Sequence, residues 1–155
     1  MKVGFCCSSW DLLHAGHILL LKEAKDNCDY LIIGIQSDPS IDRPQKNKPI
    51  ESLQERILRV SSIKYVDNCF VYDTEADLYE YLLENEDGID IRFLGSDYQD
   101  KKFTGSDLDI DLFYHIRDHN YSTSNLRQRI IDEYEDAKFA VVSDVINGMS
   151  RHQFY

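Results

Sequence analysis

The sequence lacks any apolar run approaching the length of a bilayer-crossing helix, and its first residues lack the long apolar region and small-residue cleavage site of a signal peptide. A soluble protein of the cytoplasm with no membrane span is the expectation. Proline is scarce, with all three residues, at 39, 44 and 49, falling within one short stretch. Cysteines occur only at 6, 7, 28 and 69, in neither a CxxC pair nor a zinc spacing, which argues against a disulfide framework or a structural zinc and predicts reduced thiols. Adjacent Cys6 and Cys7 within a strand would point to opposite faces. Positive charge is also in deficit: 17 Lys and Arg against 28 Asp and Glu give a net charge of -11. That balance disfavours a protein that grips a nucleic-acid backbone, which needs a concentrated basic surface. Small anions remain suitable ligands where positive charge is local, and Arg43, Lys46 and Lys48 lie close together between Asp42 and Glu51.

What is present fits one domain of 155 residues in which short apolar strands alternate with amphipathic helices. The alternation predicts an α/β, Rossmann-like three-layer fold: a five-stranded parallel sheet with helices on both faces. Strands are expected at 3–7, 30–35, 69–72, 89–94 and 110–116. The run Tyr30-Leu31-Ile32-Ile33-Gly34-Ile35 suits a strand buried on both faces. Helices are expected from about Gly16 to Asn27, Leu53 to Ile63 and Ala76 to Glu84, and a last one is opened by Ser122-Thr123-Ser124, residues that cap well. The proline-bearing stretch from Ser37 to Pro49 reads as a loop. Residues 1–137 are expected to form the domain and 138–155 a C-terminal extension; Phe139 to Val142 fits either a strand or a further helical turn, and the tail from Asp144 carries no assignment.

The sharpest local pattern is Trp10-Asp11-Leu12-Leu13-His14-Ala15-Gly16-His17, where the first strand should hand over to the first helix. In an open parallel sheet this crossing faces the ligand crevice, and a helix N-terminus offers amide donors and partial positive charge to a phosphate. Two histidines three residues apart can address one phosphate group, and Gly16 leaves room for close approach.

The HxGH motif, the Trp10-Asp11 before it and the later Ser122-Thr123-Ser124 resemble the nucleotidyltransferase superfamily. Within it they are most similar to glycerol-3-phosphate cytidylyltransferase and the choline- and ethanolamine-phosphate cytidylyltransferases, with the likeness running from about Lys2 to Ile131. The resemblance implies that His14 and His17 hold the triphosphate and stabilise charge at the attacked phosphorus. It implies that Lys46 or Lys48 is a mobile-loop lysine and that Arg117 addresses base and phosphates. Ser8, Ser9, Trp10, Asp11, Gly16, Arg56, Gly95, Asp97, Ser122 and Thr123 are the implied nucleotide-binding positions. Alternatives stay open at several of them. Arg56 fits equally an exposed charge paired with Glu55 or Asp67, Arg117 a partner of Asp118 or Asp111, and Ser122 and Thr123 a plain helix cap. Two positions depart from the pattern: Ser8 stands where the family usually has glycine, and Asn120 replaces the glycine before the Ser-Thr pair.

The implied reaction transfers CMP from CTP to a small phosphorylated alcohol, with glycerol 3-phosphate first, and releases pyrophosphate. Mg²⁺ is expected with the triphosphate, with Asp11 orienting it or serving only the backbone, and a homodimer is implied. The Gly95-Ser96-Asp97-Tyr98 segment also resembles ADP-heptose-forming enzymes, so an adenylyltransferase acting on a sugar phosphate is the rival, beside a non-catalytic nucleotide-binding homologue. Alternating Asp107, Asp109 and Asp111 lack the glycine and glutamate of a calcium loop and read as an acidic approach to a strand.

Overall fold

The computed structural model describes residues 1–153. Five strands, β1 (Val3–Ser8), β2 (Tyr30–Gln36), β3 (Asn68–Tyr72), β4 (Ile91–Gly95) and β5 (Asp111–His115), alternate with α1 (Ala15–Asp26), α2 (Leu53–Ser61) and α3 (Glu75–Glu84), and α4 (Thr123–Gln153) follows. All four strand pairings are parallel, in the order β3-β2-β1-β4-β5. This is the expected α/β architecture. Strand order reverses between β1 and β4, which is where an open parallel sheet places its crevice.

Both sheet faces are covered, which explains why β2 reads as continuous apolar sequence. On one face Cys6, Ile33, Ile35 and Phe93 pack with Leu21 and Ala24 of α1 and Val60 of α2. On the other, Phe5 and Tyr72 pack with Leu78 and Leu82 of α3. Cys6 and Cys7 divide between the two faces as their adjacency in β1 requires. All four cysteines are free.

Element ends shift by a residue or two. The strand expected from Ile89 begins at Ile91, because Asp90 is already used in bonds to Val3: its amide donates to the Val3 carbonyl, and its carboxylate accepts the Val3 amide at 2.7 Å. Helix α1 starts at Ala15 because His14, not a residue usual at such positions, supplies the cap. Ser52 with Glu55 and Thr74 with Asp77 form reciprocal caps for α2 and α3. No helix or strand forms between Gln36 and Leu53, as the prolines predict.

The chain divides into two compact units, one running from Met1 to Asn120 and the other from Tyr121 onward. Within the second, α4 is unbroken from Thr123 to Gln153, so the helical alternative holds for Phe139 to Val142 and the 137/138 boundary falls inside a helix. Residues 154 and 155 of the unassigned tail lie outside the described residues. Among the described residues, no helix is long and apolar enough to cross a membrane.

Candidate functional site

The turn from β1 into α1 is held in a costly backbone shape. Trp10 and Leu12 sit at φ 56° and 48°, the left-handed region where a side chain costs roughly 1 kcal/mol or more. Several long-range bonds over-determine that shape. The Trp10 indole N–H donates to the Gly34 carbonyl at 2.9 Å. The Asp11 carboxylate accepts the Ile50 and Glu51 amides at 3.0 and 2.9 Å. In return Glu51 accepts the Leu12 amide at 2.6 Å, and its other oxygen pairs with Arg59 at 3.0 Å. The start of α1 is thereby tied to the end of the proline-bearing loop.

Held on this turn, His14 and His17 stack with ring centroids 3.9 Å apart, and His17 lies against the buried Trp10 ring at 5.4 Å. Each imidazole accepts a backbone amide through Nδ1: His14 from Gly16 at 3.0 Å, and His17 from His14 at 3.2 Å. A backbone N–H is only a donor, so each Nδ1 must be unprotonated, and in the neutral ring the proton sits on Nε2. Electrostatics favours the neutral form as well. Burial, the neighbouring His14 and Arg117 lower the His17 pKa to about 3, with Asp11 opposing. Burial, Arg117 and His119 lower that of His14. The pair thus presents two neutral Nε2–H donors at a helix N-terminus, an arrangement suited to phosphate oxygens.

Arg117 lies close enough for its charge to act on both histidines. Lys46 and Lys48 are exposed on the loop. The third member of that basic cluster is committed elsewhere: Arg43 donates to the Gln36 side chain and pairs with Glu75, both at 2.8 Å. Ser8 ends β1, paired with Ile35, and Gly16 is buried at the first turn of α1.

Arg56 is neither an exposed charge nor a group reaching outward. Its guanidinium is buried and donates to the carbonyls of Ser9, Gln36, Ser37 and Glu51 at 3.0, 2.6, 2.6 and 3.3 Å. Carbonyls surround it because the ends of β1 and β2 and the start of α2 all turn toward one point. It is a clamp on the strand ends, which corrects the reading of it as an exposed charge paired with Glu55 or Asp67.

Asp11, for which the sequence leaves open either orienting Mg²⁺ or serving only the backbone, has both oxygens on backbone amides. Among the described residues no three His, Cys, Asp or Glu side chains gather as metal ligands, and Asp107 of the alternating acidic run accepts the Tyr79 hydroxyl at 2.9 Å.

Gly95 closes β4 and Ser96–Tyr98 form a single 3-10 turn. The turn folds Asp97 back so far that a Cβ on Gly95 would stand 2.6 Å from its carboxylate oxygen, so any side chain there would have to push that carboxylate aside. Ser122 caps α4, its hydroxyl accepting the Asn125 amide at 3.0 Å, and Thr123 is the first residue of that helix.

Several contributors escaped the sequence reading. His115, the last residue of β5, is buried with Nδ1 on Glu23 of α1, and its ring lies 6.2 Å from that of His119. Arg92 of β4 is buried between the Phe5 and Phe103 rings and donates to the Thr104 carbonyl, holding down the segment after Tyr98. Neither contact has a local signal: Glu23 and His115 are 92 positions apart.

A family model described as cytidylyltransferase-like matches residues 5–142. Among curated proteins, the bifunctional protein HldE of Wolinella succinogenes is 39% identical over 108 residues, which are 69% of this chain and 22% of that protein. HldE of Helicobacter acinonychis is 35% identical over 138 residues, covering 87% of this chain and 29% of the relative. The chain thus spans well under a third of the curated relatives it matches. Among solved structures, a lipopolysaccharide core biosynthesis protein from Thermoplasma volcanium GSS1 is 27% identical with a TM-score of 0.59, covering 79% of this chain and 99% of that one. A pantoate-beta-alanine ligase from Francisella tularensis shares the fold alone, at 21% identity and a TM-score of 0.57 over 81% of this chain and 65% of that one.

Proposed function

The chain belongs to the cytidylyltransferase-like family of nucleotidyltransferases, and from that membership we propose that it transfers AMP from ATP to a phosphorylated sugar, releasing pyrophosphate in the cytoplasm. The observation that carries the transfer is the pair of oriented Nε2–H donors of His14 and His17 at the start of α1. An oxygen of the acceptor phosphate attacks the α-phosphorus, the new P–O bond forms, and the bond to the pyrophosphate oxygen breaks. Such chemistry needs positioning and charge stabilisation rather than a protein nucleophile. The neutral histidines donate to phosphate oxygens as charge builds on them. Arg117 adds fixed positive charge that acts on the same histidines, and Lys46 or Lys48 reaches the triphosphate as the loop closes. Mg²⁺ bound to the triphosphate supplies charge neutralisation. Ser8, Ser9, Trp10, Gly16, Gly95 and Asp97, the positions that the resemblance implies within residues 1–120, line the nucleotide.

The choice of ATP and a phosphorylated sugar is supported by the likeness of Gly95, Asp97 and Tyr98 to ADP-heptose-forming enzymes. It is also supported by the likeness to the lipopolysaccharide core biosynthesis protein from Thermoplasma volcanium GSS1. In place of the expected cytidylyltransferases of phosphorylated alcohols, the curated relatives named above are bifunctional HldE proteins. One observation favours CTP and glycerol 3-phosphate as a second reading. The charge of Arg117, where the resemblance puts a cytidylyltransferase arginine, acts on both histidines. A guanidinium can meet the carbonyl of cytosine, which adenine lacks.

A matrix of ATP and CTP against phosphorylated sugars and alcohols, read by pyrophosphate release, tests both readings. Release with ATP and a sugar phosphate is expected. Release only with CTP and a phosphorylated alcohol would overturn the first reading, and no release with any pair would overturn both. Arg117→Ala should lower kcat/KM with either nucleotide; a selective loss with CTP would assign the arginine to the base.

A further inference from the structure

We propose that Arg43, Glu75 and Tyr98 form a hydroxyl-binding subsite that holds the sugar of the phosphorylated acceptor on the α3 side of the crevice. The inference rests on the transfer reading above and concerns the part of the acceptor that does not react.

A continuous chain of polar contacts runs across the carboxyl ends of the strands. Arg43 of the loop donates to the Gln36 side chain at the end of β2 and pairs with Glu75, both at 2.8 Å. Glu75, the first residue of α3, accepts the Thr104 hydroxyl through its other oxygen at 2.8 Å. The Thr104 carbonyl accepts from Arg92, whose second amino group reaches the Cys7 sulfur at 3.6 Å. Tyr98 borders this chain. Its ring meets that of Phe103 edge to face at 6.2 Å, and the charges of Arg43 and Glu75 act on its phenol.

The chain also borders the nucleotide positions, since Cys7 immediately precedes Ser8 and Ser9, and Tyr98 immediately follows Asp97. α1 and α3 cover opposite faces of the sheet. The histidines at the start of α1 and Glu75 at the start of α3 therefore flank the end of β1 from its two faces, where the strand order reverses. An acceptor with its phosphate at the histidines can extend its body toward Glu75.

The composition selects hydroxyls. The side chains of Arg43 and Glu75 are 29% and 25% exposed and Tyr98 is 36% exposed, so each can meet a ligand. Carboxylate oxygens accept more than one hydrogen bond, a guanidinium carries several donors, and a phenol donates and accepts. Burial raises the Tyr98 pKa, with Asp97 adding to it, which keeps the phenol a neutral O–H. Every hydroxyl of a sugar is itself both donor and acceptor, and this set matches both roles. A further anionic group would meet the Glu75 carboxylate, and a choline or ethanolamine cation would meet the Arg43 guanidinium. The rings of Tyr98 and Phe103 add apolar surface for the C–H groups of a sugar.

Pyrophosphate release with ATP or CTP and each of a heptose 1-phosphate, a hexose 1-phosphate, glycerol 3-phosphate and phosphocholine tests the subsite in the native protein, Tyr98→Phe and Glu75→Gln. The first variant keeps the ring and removes the hydroxyl; the second keeps the shape and removes the charge. The KM for the sugar phosphate should rise about fivefold in Tyr98→Phe and about tenfold in Glu75→Gln, the effects of losing a neutral and a charge-assisted hydrogen bond. The nucleotide KM should stay within about twofold of native, and preference for the sugar phosphate over glycerol 3-phosphate should fall in both variants. A purely structural role would instead raise both KM values together and lower the melting temperature. An unchanged acceptor KM in both variants would overturn the subsite while leaving the transfer reading intact. Native preference for glycerol 3-phosphate or phosphocholine over both sugars would overturn the subsite and the choice of acceptor together. If the native protein releases no pyrophosphate with any pair, the transfer reading falls. Calorimetric titration of the heptose 1-phosphate into protein saturated with a non-hydrolysable ATP analogue then decides the subsite: binding weakened in both variants supports it, and equal or absent binding in all three proteins overturns it.

Discussion

His17 offers a test that separates its electrostatics from its packing. Its pKa is lowered from 6.5 to about 3, first by burial and then by His14 and Arg117. A folded pKa below the unfolded one means that the unfolded chain takes up the proton first as pH falls. The histidine costs nothing at pH 8, begins to destabilise near pH 6.5, and destabilises increasingly down to about pH 3. Integrating between pH 8 and pH 5 gives a loss of about 2 kcal/mol from this one group. His17→Asn removes the titration and the Nε2–H donor while leaving a side-chain oxygen near the position from which Nδ1 accepts the His14 amide. The variant also loses the ring contacts with Trp10 and His14, but that loss is the same at both pH values and cancels in a difference of differences. Urea unfolding of both proteins at pH 8 and pH 5 is the assay. The native protein should lose about 2 kcal/mol more than the variant on acidification. Equal losses would refute the neutral, buried histidine and with it the reading of Nε2–H as a fixed donor. At pH 8 the same variant should keep its fold and lose turnover by about a hundredfold or more, the usual effect of deleting an oriented charge-stabilising donor.

Arg56→Ala should destabilise the protein by about 3 kcal/mol, because four carbonyls, two buried and two partly buried, lose their donor at once; chemical denaturation measures it, and Arg56→Lys, with only three donors, should recover part of the loss. Gly95→Ala should force the Asp97 carboxylate out of its turn and raise the nucleotide KM roughly fivefold, the effect of about 1 kcal/mol of lost contact, with little change in melting temperature. Amide exchange across residues 42–50 should slow when nucleotide and Mg²⁺ are added, since a polar loop with exposed Lys46 and Lys48 has little to pack against until phosphate is bound; unchanged exchange at saturating nucleotide would rule out loop closure.

Much of this protein was determined by its sequence alone, where the controlling interactions are local. Alternating apolar strands and amphipathic helices specify a parallel sheet covered on both faces. The clustered prolines specify the loop from Gln36 to Leu53, and adjacency in β1 sends Cys6 and Cys7 to opposite faces. The histidine pair at a strand-to-helix turn was legible for the same reason, since strand, glycine and helix start lie within a dozen residues. Tertiary structure alone decided what those residues are bonded to. The pairing of Asp11 with the amides of Ile50 and Glu51, some forty positions away, ties the first helix turn to the end of the loop. Convergence of three element ends turned Arg56 from a surface charge into a buried clamp. The buried His115–Glu23 contact spans 92 positions. The extent of α4 was lost for a different reason: its apolar residues recur around more of the helix than one face, so periodicity did not separate helix from strand beyond Lys138. Periodicity records which face of an element is apolar; a polar side chain's partner depends on which distant backbone atoms the fold brings within hydrogen-bond reach, and no local pattern encodes that.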